Sequence, residues 1–335
     1  MTDIVHVNGI EDLISATPYL LGFTPEDSLV VVALRERDLA YVMRVDLSSM
    51  SDLHAAADAF LPTAIENTVT AVMFLVVCPR EAQPAGPLPH SDLIDACVEA
   101  FTSVGIDVAD AAWIQACQAS EEWHSYLNSE RRGTLPDPSS TVIAAEAVAH
   151  GLVTHSSRAD LAATVRAPAA EDQARRSALM REAAAASVKS RAADVQYIKD
   201  TIAGWPDRKT ALTDDEIVRL GLALSDSEVL TACLAYGGDP TSNRDAEALW
   251  RELTRECPTP WRAEPALLLA FVAYQRGDGG FASIALEEVE KCIPDHGLAT
   301  LLGHALAQGM PPAVLTRLAD EAARDAMQEI LNNRH

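Results

Sequence analysis

The sequence predicts an α/β domain with a mixed β-sheet, followed by an all-helical domain. Three observations support this fold class. Residues 29–34 form an unbroken, valine-rich apolar run, which is typical of a strand buried on both faces of an α/β sheet. Strand and helix patterns alternate over the first half of the chain, whereas no strand pattern occurs after Leu212. At 335 residues, the chain is also long enough to favour two domains.

The first predicted element is a helix that Asn8 can cap and that Pro18 limits or kinks near its end. Gly22 then turns the chain into a polar elbow, residues 24–28, which directly precedes the valine-rich strand. We therefore expect the elbow to be held at one end of a rigid strand.

The following elements alternate between strands and helices. A polar turn leads into a second strand at residues 40–47, on which Arg44 and Asp46 make one face polar. Ser51 is expected to cap a helix that continues to about Asn67. The pattern then predicts a strand at 70–77, a helix at 91–104 and a strand at about 112–117. This order predicts a mixed sheet with helices packed on its faces.

The second half of the chain is predicted to be helical. Residues 121–140 are expected to be irregular, with helices at about 141–150 and after a cap at Ser156. A long helical stretch then continues to about Ala203 without a strand. We accordingly divide the chain into an α/β domain at 1–166, a long connecting helix at 167–209 and a helical domain at 210–335.

The predicted helices of the last domain are separated by short breaks rich in glycine and proline. They lie at about 214–224, 227–235, 245–256, 265–276, 279–291, 297–307 and 312–331. The pair from Pro265 to Pro294 is similar to a tetratricopeptide unit, with Gly277 at its turn. Small residues occupy the positions where its two helices approach, namely Ala270, Ala273, Ala282 and Ala285. The domain is therefore predicted to be tetratricopeptide-like, although small-residue stripes are more often core than binding site.

Composition limits the classes of function. A formal net charge of -23 argues against general nucleic-acid binding. The sequence contains no run of about eighteen apolar residues, so no membrane span is predicted. The first residues lack the basic and apolar regions of an export signal, so a cytoplasmic protein is expected. Six scattered cysteines without a C-x-x-C pair predict buried free thiols in a reducing compartment.

The segment 166–209 is a basic island in this acidic chain, with nine basic against six acidic residues. A solvated helix face with interspersed charge is the favoured interpretation, and a docking surface is the alternative.

No sequence motif names a reaction. The chain lacks the patterns of phosphate-binding loops, dinucleotide-binding turns, zinc metalloproteases, nucleophile elbows and calcium loops. His124, His150 and His155 form the one local group of histidines, and no carboxylates or thiols flank them at ligand spacing. We therefore expect neither a metal site nor a cofactor.

Two polar clusters are candidate sites. Glu26, Asp27 and Ser28 place carboxylates and a hydroxyl beside a strand end, where α/β proteins tend to bind ligands. The favoured alternative is that these side chains satisfy backbone groups in a turn. Trp123 and Tyr126, on the segment expected to be irregular, suit a lid over the core or a binding surface. The lid is favoured.

These motifs resemble the actinobacterial domain-of-unknown-function family 4192. The resemblance rests on L-L-G-F-x-P-x-D-S-L-V at 20–30, R-x-D at 44–46, W-x-S-Y at 123–126, Ser157-Arg158, and the segment from Gly277 to Leu302. It implies an intracellular protein of high-GC Gram-positive bacteria and brings no activity with it. Many members carry cysteines just after W-x-S-Y, whereas this chain has N-S-E-R-R at 128–132. We take Trp123, Tyr126 and Arg158 as candidate binding residues.

Two hypotheses follow from these patterns. The first is a non-enzymatic protein-interaction or assembly module that binds a protein partner or a second copy of itself. The second is a small-molecule hydrolase or transferase, in which Glu26, Asp27, Ser28, Arg44 and Asp46 converge at the end of the sheet. In the second hypothesis Arg44 holds an anionic group and a carboxylate acts as base. If Arg44 and Asp46 only pair with elbow groups, the site is instead a structural ion pair. The interaction hypothesis is favoured.

Overall fold

The computed structural model describes residues 9–36, 38–49, 53–80, 86–141, 144–145, 154–186, 190–237 and 240–332. The chain divides into two compact units. The sheet unit comprises Met1–Leu161 with Ala307–Gly309, and the helical unit comprises Ala162–Leu306 with Met310–His335.

The sheet unit contains a mixed sheet, which has six strands in the described part of the chain. The strands are β1 (Ser28–Arg35), β2 (Asp38–Asp46), β3 (Ala71–Val77), β4 (Asp107–Ile114), β5 (Glu122–Ser125) and β6 (Arg132–Thr134). Their order across the sheet is β2-β1-β3-β4-β5-β6. β3 and β4 pair in parallel, and the other neighbouring strands pair antiparallel. The predicted mixed sheet is therefore confirmed.

β1 lies inside the sheet and is buried on both faces, as its unbroken apolar run predicts. Leu29 and Val31 pack into a core that is covered by α2 (Leu53–Glu66) and α3 (Ser91–Ser103). Val30 and Val32, which point to the opposite face, are also fully buried. This burial on both faces explains why the strand shows no polar alternation.

The helices of the sheet unit begin and end close to the predicted positions. α1 (Ile10–Leu21) contains Pro18 and ends at Gly22, whose positive φ of 76° suits a glycine C-cap. Its N-cap is Gly9, and the predicted cap Asn8 lies outside the described residues. The predicted cap Ser51 also lies outside them.

Residues 121–140 are not irregular, and that prediction is wrong. They contain β5 and β6, which are only four and three residues long. Such short strands gain their order from pairing with β4 and with each other, so the sequence carries little periodicity to reveal them. β4 also begins five residues before the predicted strand at 112. The predicted helix at 141–150 falls largely outside the described residues.

The helical unit begins within α4 (Arg158–Ala163), whose cap is Ser157 rather than the predicted Ser156, because the Ser157 hydroxyl accepts a hydrogen bond from the Asp160 amide. The remaining helices are α5 (Ala170–Ala186), α6 (Arg191–Ala203), α7 (Asp214–Leu224), α8 (Ser227–Cys233), α9 (Pro240–Glu256), α10 (Ala263–Gln275), α11 (Gly279–Cys292), α12 (Gly297–Ala307) and α13 (Pro312–Asn332). The described residues after 212 contain no strand, as predicted.

The predicted long connecting helix is two helices, α5 and α6. Ser190 has an extended backbone, and its hydroxyl accepts a hydrogen bond from the Ala193 amide, which caps the start of α6. A serine N-cap satisfies amides that a continuous helix would bond internally, so the helical pattern restarts at this position.

The core of the helical unit surrounds α10. From Ala263 to Tyr274 every residue of this helix is buried except Glu264, which is partly buried. α10 packs against both α9 and α11, which contribute the fully buried Trp250 and Phe281. A helix that is apolar on all sides is stable only inside such a bundle.

Candidate functional site

The elbow, residues 24–28, is fixed at both ends by backbone hydrogen bonds. The Thr24 amide donates to the His155 carbonyl (3.0 Å), and the His155 amide donates to the Gly22 carbonyl (2.9 Å). At the other end, the Leu47 amide donates to the Asp27 carbonyl (2.8 Å). These bonds place the elbow at the edge of the sheet where β1 begins and β3 ends, because Ser28 pairs with Val77.

Arg44 is the centre of the polar contacts at this edge. Its Nε donates to Ser28 Oγ (2.7 Å), and its Nη2 donates to Asp46 Oδ1 (2.6 Å) and to the Glu26 carbonyl (3.3 Å). Ser28 Oγ donates in turn to the Glu26 carbonyl (2.5 Å). The Arg44 side chain is 13% exposed and that of Asp46 is 56% exposed. The structure thus brings Ser28, Arg44 and Asp46 together.

These contacts determine what the elbow can do chemically. The proton of the Ser28 hydroxyl is directed at a carbonyl, and its oxygen accepts from a guanidinium, so no base faces it in this arrangement. Glu26 takes part through its backbone carbonyl, and its side chain is exposed. Asp27 is also exposed and has a positive φ of 42°, a conformation that aspartate adopts more readily than most residues. These contacts connect Arg44 of β2 with the elbow across the turn.

A thiol and a tryptophan lie beside the elbow, and sequence reasoning did not identify them. Cys78 follows β3, and its carbonyl accepts a hydrogen bond from Trp113 Nε1 (3.1 Å). Burial raises the pKa of the Cys78 thiol, and the nearby Asp27 carboxylate raises it further. The net result is a raised pKa, which keeps the thiol protonated and poorly nucleophilic near neutral pH. The Arg80 guanidinium lies 5.6 Å from the centre of the Trp113 ring.

The W-x-S-Y residues hold the β5–β6 hairpin in place. Trp123 is only 4% exposed, and its Nε1 donates to Glu11 Oε1 of α1 (3.2 Å). Ser125 is 3% exposed, and its Oγ accepts the amides of Leu127 (3.2 Å) and Asn128 (3.3 Å) in the turn. These contacts give Trp123 a packing role and leave it little surface for a ligand.

The other two candidate binding residues lie on different elements. The Tyr126 hydroxyl donates to the Pro89 carbonyl, and burial raises the pKa of this phenol. Arg158 is the first residue of α4 and is partly buried. The proposed binding role of Trp123, Tyr126 and Arg158 stays a prediction.

A family model matches residues 11–313, and its description is a domain of unknown function, DUF4192. The chain belongs to this family. The match extends over the elbow, the W-x-S-Y hairpin and the helices through α12, so the DUF4192 region includes residues of both units. No curated protein and no solved structure matches the chain significantly.

The described residues of this DUF4192 protein contain no group of three or more His, Cys, Asp or Glu side chains placed to share a metal ion. No helix in the described ranges combines the length and the apolar character needed to cross a membrane.

The helical unit of this DUF4192 protein has a cleft of about 610 Å³ beside the start of α7. Three of its polar side chains, Arg208, Thr213 and Glu216, already bond to each other. Arg208 forms an ion pair with Glu216, and the Glu216 carboxylate also accepts the Thr213 amide (2.8 Å) in a capping box. Arg208 therefore lowers the pKa of Glu216. The amides at the start of α7 that a bound anion would use are partly occupied by this carboxylate.

An uncharged helix presents a different kind of surface. The sequence of α12, G-L-A-T-L-L-G-H-A-L-A, contains no Asp, Glu, Lys or Arg. One face packs on α11, since a Cβ added to Gly279 would lie 3.2 Å from Leu306, and one added to Gly303 would lie 3.9 Å from Leu286. Away from α11, Leu298 is 41% exposed and Leu301 is 65% exposed. The composition of α12 suggests a core helix, so sequence reasoning missed this face.

Proposed function

We propose that this protein is a non-enzymatic protein-interaction or assembly module, whose helical unit presents the exposed face of α12 to a protein partner. The observation that carries the proposal is the exposure of Leu298 and Leu301 on a helix without charged residues, in a chain of net charge -23. Single exposed leucines are common, but two on one uncharged helix face suit a contact surface.

The packing of α10 and α11 supports a tetratricopeptide-like arrangement as part of this proposal. The two helices form a hairpin with Gly277 at its turn, where φ is 83°. Asp278 caps α11 by accepting the Phe281 amide (2.9 Å). The small residues predicted at the helix contact are all fully buried, namely Ala270, Ala273, Ala282 and Ala285.

In a helical array each helix pair covers the apolar side of the one before it, and the last repeat needs a cap. Here α12 follows the hairpin and approaches α11, with Leu306 near Gly279 and Leu286 near Gly303. The following helix, α13, turns back to contact α8, α6 and α10. The outer face of α12 therefore keeps exposed leucines, and we propose that a partner covers them.

Two further properties belong to this proposal. The six cysteines are unpaired in the structure, which suits a cytoplasmic protein in a reducing compartment. The acidic charge of the chain disfavours nucleic acid as the partner.

The hydrolase or transferase hypothesis is favoured by one observation. Asp27 combines a left-handed backbone, which is often found at functional sites, with an exposed carboxylate at the sheet edge. For such an enzyme, Arg44 would have to exchange its contacts with Ser28 and Asp46 for an anionic substrate group. This hypothesis ranks second because those contacts already occupy the guanidinium.

Affinity purification from the native host tests the favoured proposal. Three tagged proteins are compared: the wild type, the double variant Leu298→Ser/Leu301→Ser, and the control Leu318→Ser, which changes a leucine of α13 that is 59% exposed. We expect the wild type and the control to retain a partner that the double variant loses. Equal recovery from all three proteins, or no partner from any, would contradict the proposal.

A further inference from the structure

We infer that the partner of the α12 face is an amphipathic helix with apolar residues at helical spacing and lysine or arginine at its flanks. This inference rests on the proposed function and specifies its partner. Leu298 and Leu301 are three residues apart, so they lie on one side of α12 and can contact the apolar stripe of a second helix.

The rim of this face is acidic. α11 and α12 run antiparallel, because Gly279 lies near Leu306 and Leu286 lies near Gly303. Glu290 is one turn beyond Leu286 on the same side of α11, which directs it toward the start of α12.

A second carboxylate, that of Asp295, completes this rim. Asp295 is exposed and lies two residues before α12, with a positive φ of 63°. The nearby Lys291 pairs with Glu288 (2.6 Å), a carboxylate that Arg262 also contacts (3.2 Å). Two exposed carboxylates thus border the start of an uncharged, leucine-bearing face.

Charge complementarity selects the partner. A basic helix is attracted both by this rim and by the net charge of -23, and such attraction raises association rates and excludes acidic competitors. A second copy of the chain would bring the same negative charge to the contact. A symmetric dimer through α12 alone is therefore disfavoured.

The test uses a synthetic, fluorescently labelled peptide of about 18 residues, built from leucine and lysine with leucines at i, i+3, i+4 and i+7. A scrambled peptide of the same composition is the first control, and a leucine–glutamate peptide with the original leucine positions is the second. Fluorescence anisotropy with the full-length protein gives each Kd. Circular dichroism checks that every variant is folded.

We expect the leucine–lysine peptide to bind the wild type at least ten times more tightly than either control peptide does. Leu298→Ser/Leu301→Ser should raise the Kd roughly tenfold or more, because the variant removes the apolar anchors but keeps the net charge. Glu290→Gln/Asp295→Asn should raise the Kd several-fold and weaken its salt dependence. Leu318→Ser should leave the Kd unchanged.

Four results would overturn the inference. Equal binding of the ordered and scrambled peptides, or unchanged binding to the leucine variant, would mean nonspecific attraction to an acidic protein. A dimer in sedimentation equilibrium that Leu298→Ser/Leu301→Ser abolishes would make a second copy the occupant. If a host protein is captured through Leu298 and Leu301 but the peptide does not bind, the inference about a basic helix fails while the proposed function stands. If capture does not depend on these leucines, the proposed function itself fails.

Discussion

Replacing Arg44 by alanine tests whether the elbow is a structural brace or a reaction centre. The Arg44 side chain joins β2 to the elbow through Ser28 Oγ and the Glu26 carbonyl, and it also pairs with Asp46 of the same strand. Its guanidinium lies 5.9 Å from the centre of the Phe23 ring. If these contacts are structural, Arg44→Ala destabilises the sheet unit.

The magnitude follows from the exposure of each partner. The bond to the buried Ser28 is charge-assisted, and such bonds contribute about 1.5–3 kcal/mol. The bond to Asp46 contributes about 0.2–1 kcal/mol, because that carboxylate is 56% exposed and regains water. The contact with Phe23 adds about 0.5–1 kcal/mol. The expected loss for Arg44→Ala is therefore about 3 kcal/mol.

Hydrogen exchange of the β1 amides measures this loss directly, because they lie inside the sheet and open only with the sheet unit. A loss of about 3 kcal/mol predicts exchange roughly a hundredfold faster than in the wild type. Asp46→Asn is the matched control, and we expect it to change exchange by less than about fivefold. Amides of α10 provide an internal reference. If β1 exchanges at the wild-type rate in Arg44→Ala, the brace interpretation is refuted and the enzyme hypothesis gains.

Three further predictions follow from the packing and the ionisable groups. Gly133→Ala should destabilise the sheet unit by about 1–3 kcal/mol in urea unfolding, since the added Cβ would lie 2.7 Å from Trp123 Nε1. Gly86→Ala is the control and should have little effect, because the space around an added Cβ is open. Equal losses of stability in the two variants would mean that the contact with Trp123 does not explain the effect of Gly133→Ala. Glu216 has a lowered pKa, so its charge stabilises the helical unit above the ordinary value of about 4.5, and this contribution is lost as the pH falls. Glu216→Gln should thus lower the free energy of unfolding, measured in urea, by up to about 1 kcal/mol at pH 7 and by progressively less below pH 4.5. A loss that does not change with pH would show that the Glu216 charge is not its source. Burial raises the pKa of the cysteine thiols, so the partly buried Cys292 should react first with iodoacetamide at pH 8. Mass spectrometry identifies the labelled residue. Early labelling of any of the buried cysteines would contradict the burial of that thiol.

Long, regular patterns in the sequence predicted most elements of the fold. The run at residues 29–34 indicated a buried strand, and β1 has that position and burial. α7 and α12 begin and end at the predicted residues, because glycine, proline and capping residues mark their ends. β5 and β6 escaped prediction because strands of three or four residues are too short to show a period.

The elbow shows how far site prediction can go. The sequence placed Ser28, Arg44 and Asp46 near one end of β1, since a hairpin brings the start of β1 beside the end of β2. It did not reveal that Arg44 would donate to Ser28, nor that Cys78 and Trp113 would lie beside them. Cys78 and Trp113 lie beside the elbow because β3 pairs with both β1 and β4, and these three strands are distant from one another in the chain.

The sequence by itself determined the order of the longer strands and helices, the acidic charge and the family, because these depend on local periodicity, composition and motifs. Tertiary structure alone decided which groups meet and which stay exposed. The leucines of α12 look like core residues in the sequence, and they are exposed because α13 returns to α6, α8 and α10. Burial is a property of the distant segments that cover a residue, so neither the residue nor its neighbours along the chain can specify it.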